Sequence, residues 1–201
     1  KNVDVAALKM GQVQAMGGGG TLVVSIAAGT TIASFEPVFG AATPIVRAMP
    51  NTPAAVSRGI TAIIGNATAT AADLDLAEAL LSAVGQVVRL ESEAQMDAVT
   101  AVSGSGPAYV FHLIEALAAA GVAEGLPDAL AMQLARATVC GAGELAHRAP
   151  ETAAQLRVNV TSPGGTTAAA LAVLMDDADG LPALMRRAVA AAAARGRELG
   201  K

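Results

Sequence analysis

"QVVRLESEAQMDAV" (residues 86–99) decides how this chain folds. Its first five residues read as a last strand, after which Ser92 and Gln95 stand at capping-box spacing, an arrangement that opens a helix by satisfying its first free N–H groups. A strand therefore ends and a helix begins near residue 91. Toward the N-terminus, β-branched runs alternate with helical ones. "TLVVSIA" (21–27) is continuously apolar, as expected of a strand covered on both faces. "TIASFEPVF" reads as a short helix, while "PIVRAM" and "ITAIIGN" read as strands. Thr70 and Asp73 form another capping box before "DLDLAEALLSAVG", which closes at Gly85. This alternation predicts a mostly parallel, layered α/β sheet over residues 1–91.

Beyond that point everything reads as helix: residues 93–102, 107–123, 127–147, a short segment after Pro150, 167–175 and 181–199. Pro107, Pro127 and Pro182 fall at or near first helical turns, where a missing N–H costs nothing. An all-α domain is thus expected over residues 92–201. Its helices are dense in Ala and Gly ("HLIEALAAAGVAEGL", "RRAVAAAAARGREL"), which lets helix axes approach closely. Their apolar faces are wide for a lone bundle of about a hundred residues, so a homodimer or higher homo-oligomer is expected. A compact monomer with an Ala-rich core is the alternative.

Composition narrows the function classes. With 53% hydrophobic residues in 201, the chain carries enough apolar surface for a core. A net charge of −4, the absence of a basic run and 2% aromatics argue against nucleic acid. The single Cys140 excludes an internal disulfide; in its Ala-rich surroundings it reads as a small buried residue, consistent with the cytoplasm. Residues 10–35 carry no charge, but Gly17, Gly18, Gly19 and Gly20 would break a spanning helix, and the apolar run before Arg195 is too short. No signal peptide and no membrane partner are expected.

Two glycine turns carry the chemistry. "SGSGPAYVF" (103–111) reads as a link between helices or as a site of close approach by a ligand or backbone. "TSPGG" (161–165) is more specific. Pro163 has no N–H, so the donors opening the next helix are those of Gly164, Gly165, Thr166 and Thr167, reinforced by the positive end of the helix dipole. No Lys or Arg lies in the loop to neutralise a second charge, which favours a monoanion such as a carboxylate over phosphate. The hydroxyls of Ser162, Thr166 and Thr167 can add bonds to it. The plain alternative is that Ser162 or Thr166 caps the helix.

"RAMPNTPAAV" (47–56), "AVSGSGPAYVF" (101–111) and "VTSPGGTTAAAL" (160–171), in that order and spacing, resemble the Δ1-pyrroline-5-carboxylate reductase family, and the likeness runs over nearly the whole chain. The resemblance implies a Rossmann-type domain followed by a helical dimerisation domain of the 6-phosphogluconate dehydrogenase C-terminal type. It further implies NADPH- or NADH-dependent reduction of a small cyclic imino acid to L-proline. By resemblance, Ser162, Gly164, Gly165, Thr166 and Thr167 bind the substrate, Thr167 reaching the ring nitrogen as the catalytic hydroxyl. Ala27, Ala28, Gly29, Asn51, Thr52 and Pro53 would flank the nicotinamide.

Such chemistry asks for positioning, since a protonated imine is already electrophilic. His112 and His147 read as structural, and Tyr109 as either a pocket or a packing residue. No metal site is expected: "DDADG" (176–180) lacks the spacing of a calcium loop and reads as a turn between helices. Glu91, Glu93 and Asp97 read as a solvated face. The chain departs from the family in lacking a G-x-G-x-x-G turn, because its glycine run precedes a strand instead of following one. By resemblance it holds the second half of the nucleotide-binding domain and the whole helical domain. A related β-hydroxyacid dehydrogenase or imine reductase, and a non-catalytic proline-binding dimerisation module, are the alternatives.

Overall fold

A computed structural model describes residues 20–200, so Gly17, Gly18 and Gly19 lie outside the described residues. Four strands, β1 (Val23–Ser25), β2 (Ile45–Met49), β3 (Gly59–Gly65) and β4 (Gly85–Arg89), form one sheet in that order. Helix α1 (Ile32–Phe39) joins β1 to β2, and α2 (Ala71–Leu81) joins β3 to β4. Both crossovers make parallel pairs.

The pairing of β2 with β3 is antiparallel, so the sheet is mixed. Its cause is the connection. Residues 50–58 hold one short 3-10 turn (Thr52–Val56), and a parallel return needs a crossover of about a dozen residues or more. Among the described residues β1 pairs with β2 alone, and Val24 is 37% exposed.

β2 is the buried axis of this unit. Val46 and Ala48 on one face pack with Ile63 and Ala77, and Leu74, Leu81 and Val87 close around them. Arg47 and Met49 alternate to the other face. Ile63 is fully buried, and Ile63→Ala should cost about 3–4 kcal/mol of unfolding free energy by lost transfer energy and cavity formation, measured by urea titration.

Both capping boxes form. The Thr70 hydroxyl accepts from the Asp73 N–H while the Asp73 carboxylate accepts from the Thr70 N–H. Around the 3-10 turn Glu93–Gln95, the Ser92 hydroxyl accepts from the Ala94 N–H while the Gln95 carboxamide oxygen accepts from the Ser92 N–H. The helical region then runs through α3 (Met96–Val99), α4 (Gly106–Ala123), α5 (Asp128–Arg148), α6 (Ala153–Asn159), α7 (Thr166–Leu174) and α8 (Leu181–Leu199). The chain clusters into two compact units: one reaches to Pro107 and is joined by the chain from Val189 onward, the other is Ala108–Ala188.

The expected break at residues 103–106 is absent. Thr100–Gly104 is instead a π-helical turn, so helix continues from Glu93 to Ala123. The hydroxyls of Thr100 and Ser103 bond back to the carbonyls of Met96 and Val99, the local pattern that bends a helix and accompanies the wider turn here. The stretch Glu93–Ala123 is long and apolar enough to cross a membrane by length and composition alone.

In the unit Ala108–Ala188, the buried hydrophobic side chains among the described residues are alanines: Ala118, Ala131, Ala135 and Ala183. Val110, Leu113 and Leu117 recur at helical spacing and are 45%, 49% and 43% exposed. Cys140, expected to be buried, is exposed on α5. The cause is shared, for these helices lie too sparsely around one another to cover their apolar sides.

The "DDADG" turn behaves as expected. The backbone N–H groups of Asp179 and Ala178 donate to Asp176 Oδ1 at 2.9 Å each and hold its carboxyl below the ordinary 3.8. Stability linked to a depressed carboxyl is present above its unfolded value and is lost as pH falls through the folded one. Asp176→Ala should therefore flatten the acid side of a melting-temperature profile below about pH 4, leaving the neutral region little changed.

Candidate active site

The turn before α7 is built by its proline and glycines. Pro163 presets the second turn position, and Gly164 at φ +68° takes the third, a left-handed conformation that side-chain-bearing residues avoid. The Ser162 carbonyl accepts from the Gly165 N–H at 3.0 Å, closing the turn. Gly165 then acts as N-cap, with no side-chain capping bond. The helix-cap alternative for Ser162 and Thr166 is thereby removed.

The Gly165 bond also revises the donor set. Of the four expected N–H groups, Gly165 spends its own inside the turn, leaving Gly164, Thr166 and Thr167 without a backbone acceptor among the described residues. Three amides at the positive end of α7 still suit one carboxylate. A side chain at Gly164 would meet no atom within 4 Å, so the turn is open on that side. Among the described residues no hydrogen bond engages the hydroxyls of Ser162, Thr166 or Thr167. Thr167 is half-buried, whereas Ser162 and Thr166 are exposed.

The proposed cofactor-flanking segments lie in the sheet unit. β1 and β2 are parallel with Val23 opposite Ile45 and Ser25 opposite Arg47, so both chains leave the sheet at the same edge. Ala27, Ala28 and Gly29 follow β1; Asn51, Thr52 and Pro53 follow β2. The carboxyl edge of parallel strands is where α/β folds bind ligands. Asn51 Oδ1 accepts from the Ile60 N–H at 2.9 Å, which pins the segment and leaves the carboxamide's own donors for another partner. Small side chains with a carboxamide donor fit the flat face and amide of a nicotinamide.

Among the described residues there is no group of three or more His, Cys, Asp or Glu able to hold a metal ion. His112 pairs with Glu115 on its own helix, with Nδ1 and Oε2 3.1 Å apart. Tyr109 and His147 are each engaged in interactions of their own.

Glu93 does not belong to a solvated face. Its Oε1 accepts from Arg47 Nη1 at 2.7 Å and from the Ile32 N–H at 2.9 Å. The Arg47 side chain is only 5% exposed. A charged residue amid the apolar run "PIVRAM" carried the signal, because a buried cation requires a carboxylate partner. Asp97 is half-buried, and a side chain at Gly196 would stand 3.1 Å from its Oδ1. Glu91 is exposed as expected.

A mixed sheet with crossover helices, continued by helices that expose their apolar sides, defines the class of fold: a layered α/β unit followed by a helical dimerisation-type region. Comparison makes the class specific. The family model for pyrroline-5-carboxylate reductase dimerisation matches residues 93–199. Pyrroline-5-carboxylate reductases of Pseudomonas aeruginosa and a Synechocystis strain are 47% and 50% identical over 89% and 90% of this chain. The chain spans 64% and 66% of those relatives' lengths.

Solved structures agree with this. The Coxiella burnetii reductase superposes with a TM-score of 0.88 at 41% identity, covering 96% of this chain and 70% of that one. A Plasmodium falciparum pyrroline carboxylate reductase with NADP bound gives 0.78 at 33% identity, covering 90% of this chain and 72% of its own. The chain belongs to the pyrroline-5-carboxylate reductase family.

Proposed function

We propose that this chain serves the reduction of 1-pyrroline-5-carboxylate to L-proline by hydride transfer from NADPH or NADH, the last step of proline biosynthesis. The observation that carries the reading is the open turn at residues 162–167, which presents three unspent amides and the Thr167 hydroxyl within one helical start. The relatives' names supply the reaction, and the NADP held by the Plasmodium falciparum structure supports the cofactor class.

In this reading the amides of Gly164, Thr166 and Thr167 hold the substrate carboxylate, with the Ser162 and Thr166 hydroxyls beside them. Binding the monoanion there orients the ring so that its imine nitrogen meets Thr167 Oγ1. That hydroxyl accepts a hydrogen bond from the protonated imine and keeps the proton on nitrogen as the amine forms. The cofactor, when bound, supplies the hydride to the imine carbon. Residues 27–29 and 51–53 would line the nicotinamide with small side chains that keep water off its face, and the Asn51 carboxamide would offer a donor to its amide.

The helical region assembles as a homodimer or larger homo-oligomer, which covers the exposed apolar sides of α4 and its neighbours. The same partner accounts for the apolar stretch Glu93–Ala123 without a membrane. A soluble, cytoplasmic setting goes with this reading, and so does a boundary near residue 91 between cofactor and substrate halves.

Titration with L-proline tests the turn. In nitrogen-labelled protein the amide signals of Gly164, Thr166 and Thr167 should move together, and that of Gly165 less, since its N–H is already engaged. Binding that leaves these signals in place would defeat the assignment.

A further inference from the structure

We infer that Glu93 is a positioning residue for the turn after β1, and through that turn for the nicotinamide end of the cofactor; this rests on the reductase reading above. Helix α1 lacks a cap of its own. Thr31 occupies the N-cap position in an extended conformation and makes no capping bond. The free N–H of Ile32 goes instead to Glu93 Oε1 at 2.9 Å, from a residue distant in sequence. The same oxygen takes Arg47 Nη1 at 2.7 Å. Arg47 is buried in the middle of β2 and cannot swing away, so it fixes where that oxygen stands.

The turn is gripped from a second side. Gly29 sits at φ +76°, and a side chain there would come 3.2 Å from Leu199 Cβ. A side chain at Gly200 would stand 3.2 Å from the Gly29 carbonyl oxygen and 3.7 Å from Thr31 Cγ2. Residues 27–32 are therefore held by Glu93, in the first helical turn after the sheet, and by the end of α8. Residues of the helical region thus set the shape of a segment that flanks the cofactor.

The experiment compares the wild-type chain with Glu93→Gln, which keeps an acceptor oxygen in place, and with the double variant Arg47→Met/Glu93→Ala. The double variant removes both charges together, which spares the fold the cost of an unpaired buried cation while leaving the Ile32 N–H unheld. Amide hydrogen exchange and NADPH binding, followed by the nucleotide's own fluorescence, are read on each.

In the double variant, exchange at residues 29–34 should accelerate about tenfold or more while β3 amides stay protected. Its NADPH dissociation constant should rise about tenfold, with Glu93→Gln within about threefold of wild type and L-proline binding unaltered. Unchanged exchange at residues 29–34, loosening spread evenly through β2 and β3, or a loosened turn with unaltered NADPH affinity would each overturn the inference. Wild-type protein bearing a complete nucleotide-binding domain that binds neither NADPH nor NADH would overturn the reductase reading, and this inference with it; a wild type that binds, with variants that bind equally well, would overturn the inference alone.

Discussion

Thr167→Ala should lower the rate of pyrroline-5-carboxylate reduction about a hundredfold, the loss typical of removing one aligned hydrogen-bond partner from a reacting centre. Its hydroxyl makes no bond to any described residue, so truncation leaves no buried polar group unsatisfied and the fold should be unaffected. The amides that would hold the carboxylate belong to the backbone and survive the change. L-Proline affinity should accordingly fall by less than about tenfold, one hydrogen bond's worth. Thr167→Ser, which keeps the oxygen, should recover most of the rate. Stopped-flow measurement of NADPH consumption separates the outcomes, and undiminished turnover in the alanine variant would remove Thr167 from the chemistry.

A larger effect is expected from Leu113→Asp/Leu117→Asp on α4. Both leucines lie on the face shared with Val110 and are nearly half exposed in the single chain. In a two-fold interface each substitution occurs twice, and burying one leucine contributes about 2 kcal/mol, so about 8 kcal/mol of association free energy is removed. That weakens the dimer by about a millionfold. Because the unit Ala108–Ala188 buries alanines instead of large side chains, the separated subunit should lose cooperative unfolding there while the sheet unit retains its own. Sedimentation velocity and near-ultraviolet dichroism report the two events. A variant that sediments as the wild type does would show that α4 faces no partner.

Much of this was legible in the residue order. Two capping boxes, the glycine after α2 and the prolines at helix starts located the elements, because those signals act within one turn of backbone. The turn before α7 was legible for the same reason. Pro163 and two glycines dictate which N–H groups face outward, though the Ser162–Gly165 bond that withdraws one of them emerges only with the folded turn.

Other features depended on distance. That β2 pairs antiparallel with β3 follows from a short connection, yet the alternation of strands and helices reads the same for either direction. The wound π-turn at Thr100–Gly104 runs through a glycine-serine composition that ordinarily ends helices, with Met49 lying against Gly104. Glu93 looked like one more surface carboxylate. Only the tertiary structure brings Arg47 and the Ile32 N–H to the same oxygen, since a carboxylate's partners are set by which strands and helices meet and not by its neighbours along the chain.

What the sequence by itself determined is therefore the local grammar: where helices open, where the sheet ends, and which loop carries spare amides. The tertiary structure decided strand direction and the partnership of a buried cation with a distant acid. The physical reason is range. Capping and turn geometry act over three or four residues, whereas pairing and burial are settled by the whole fold.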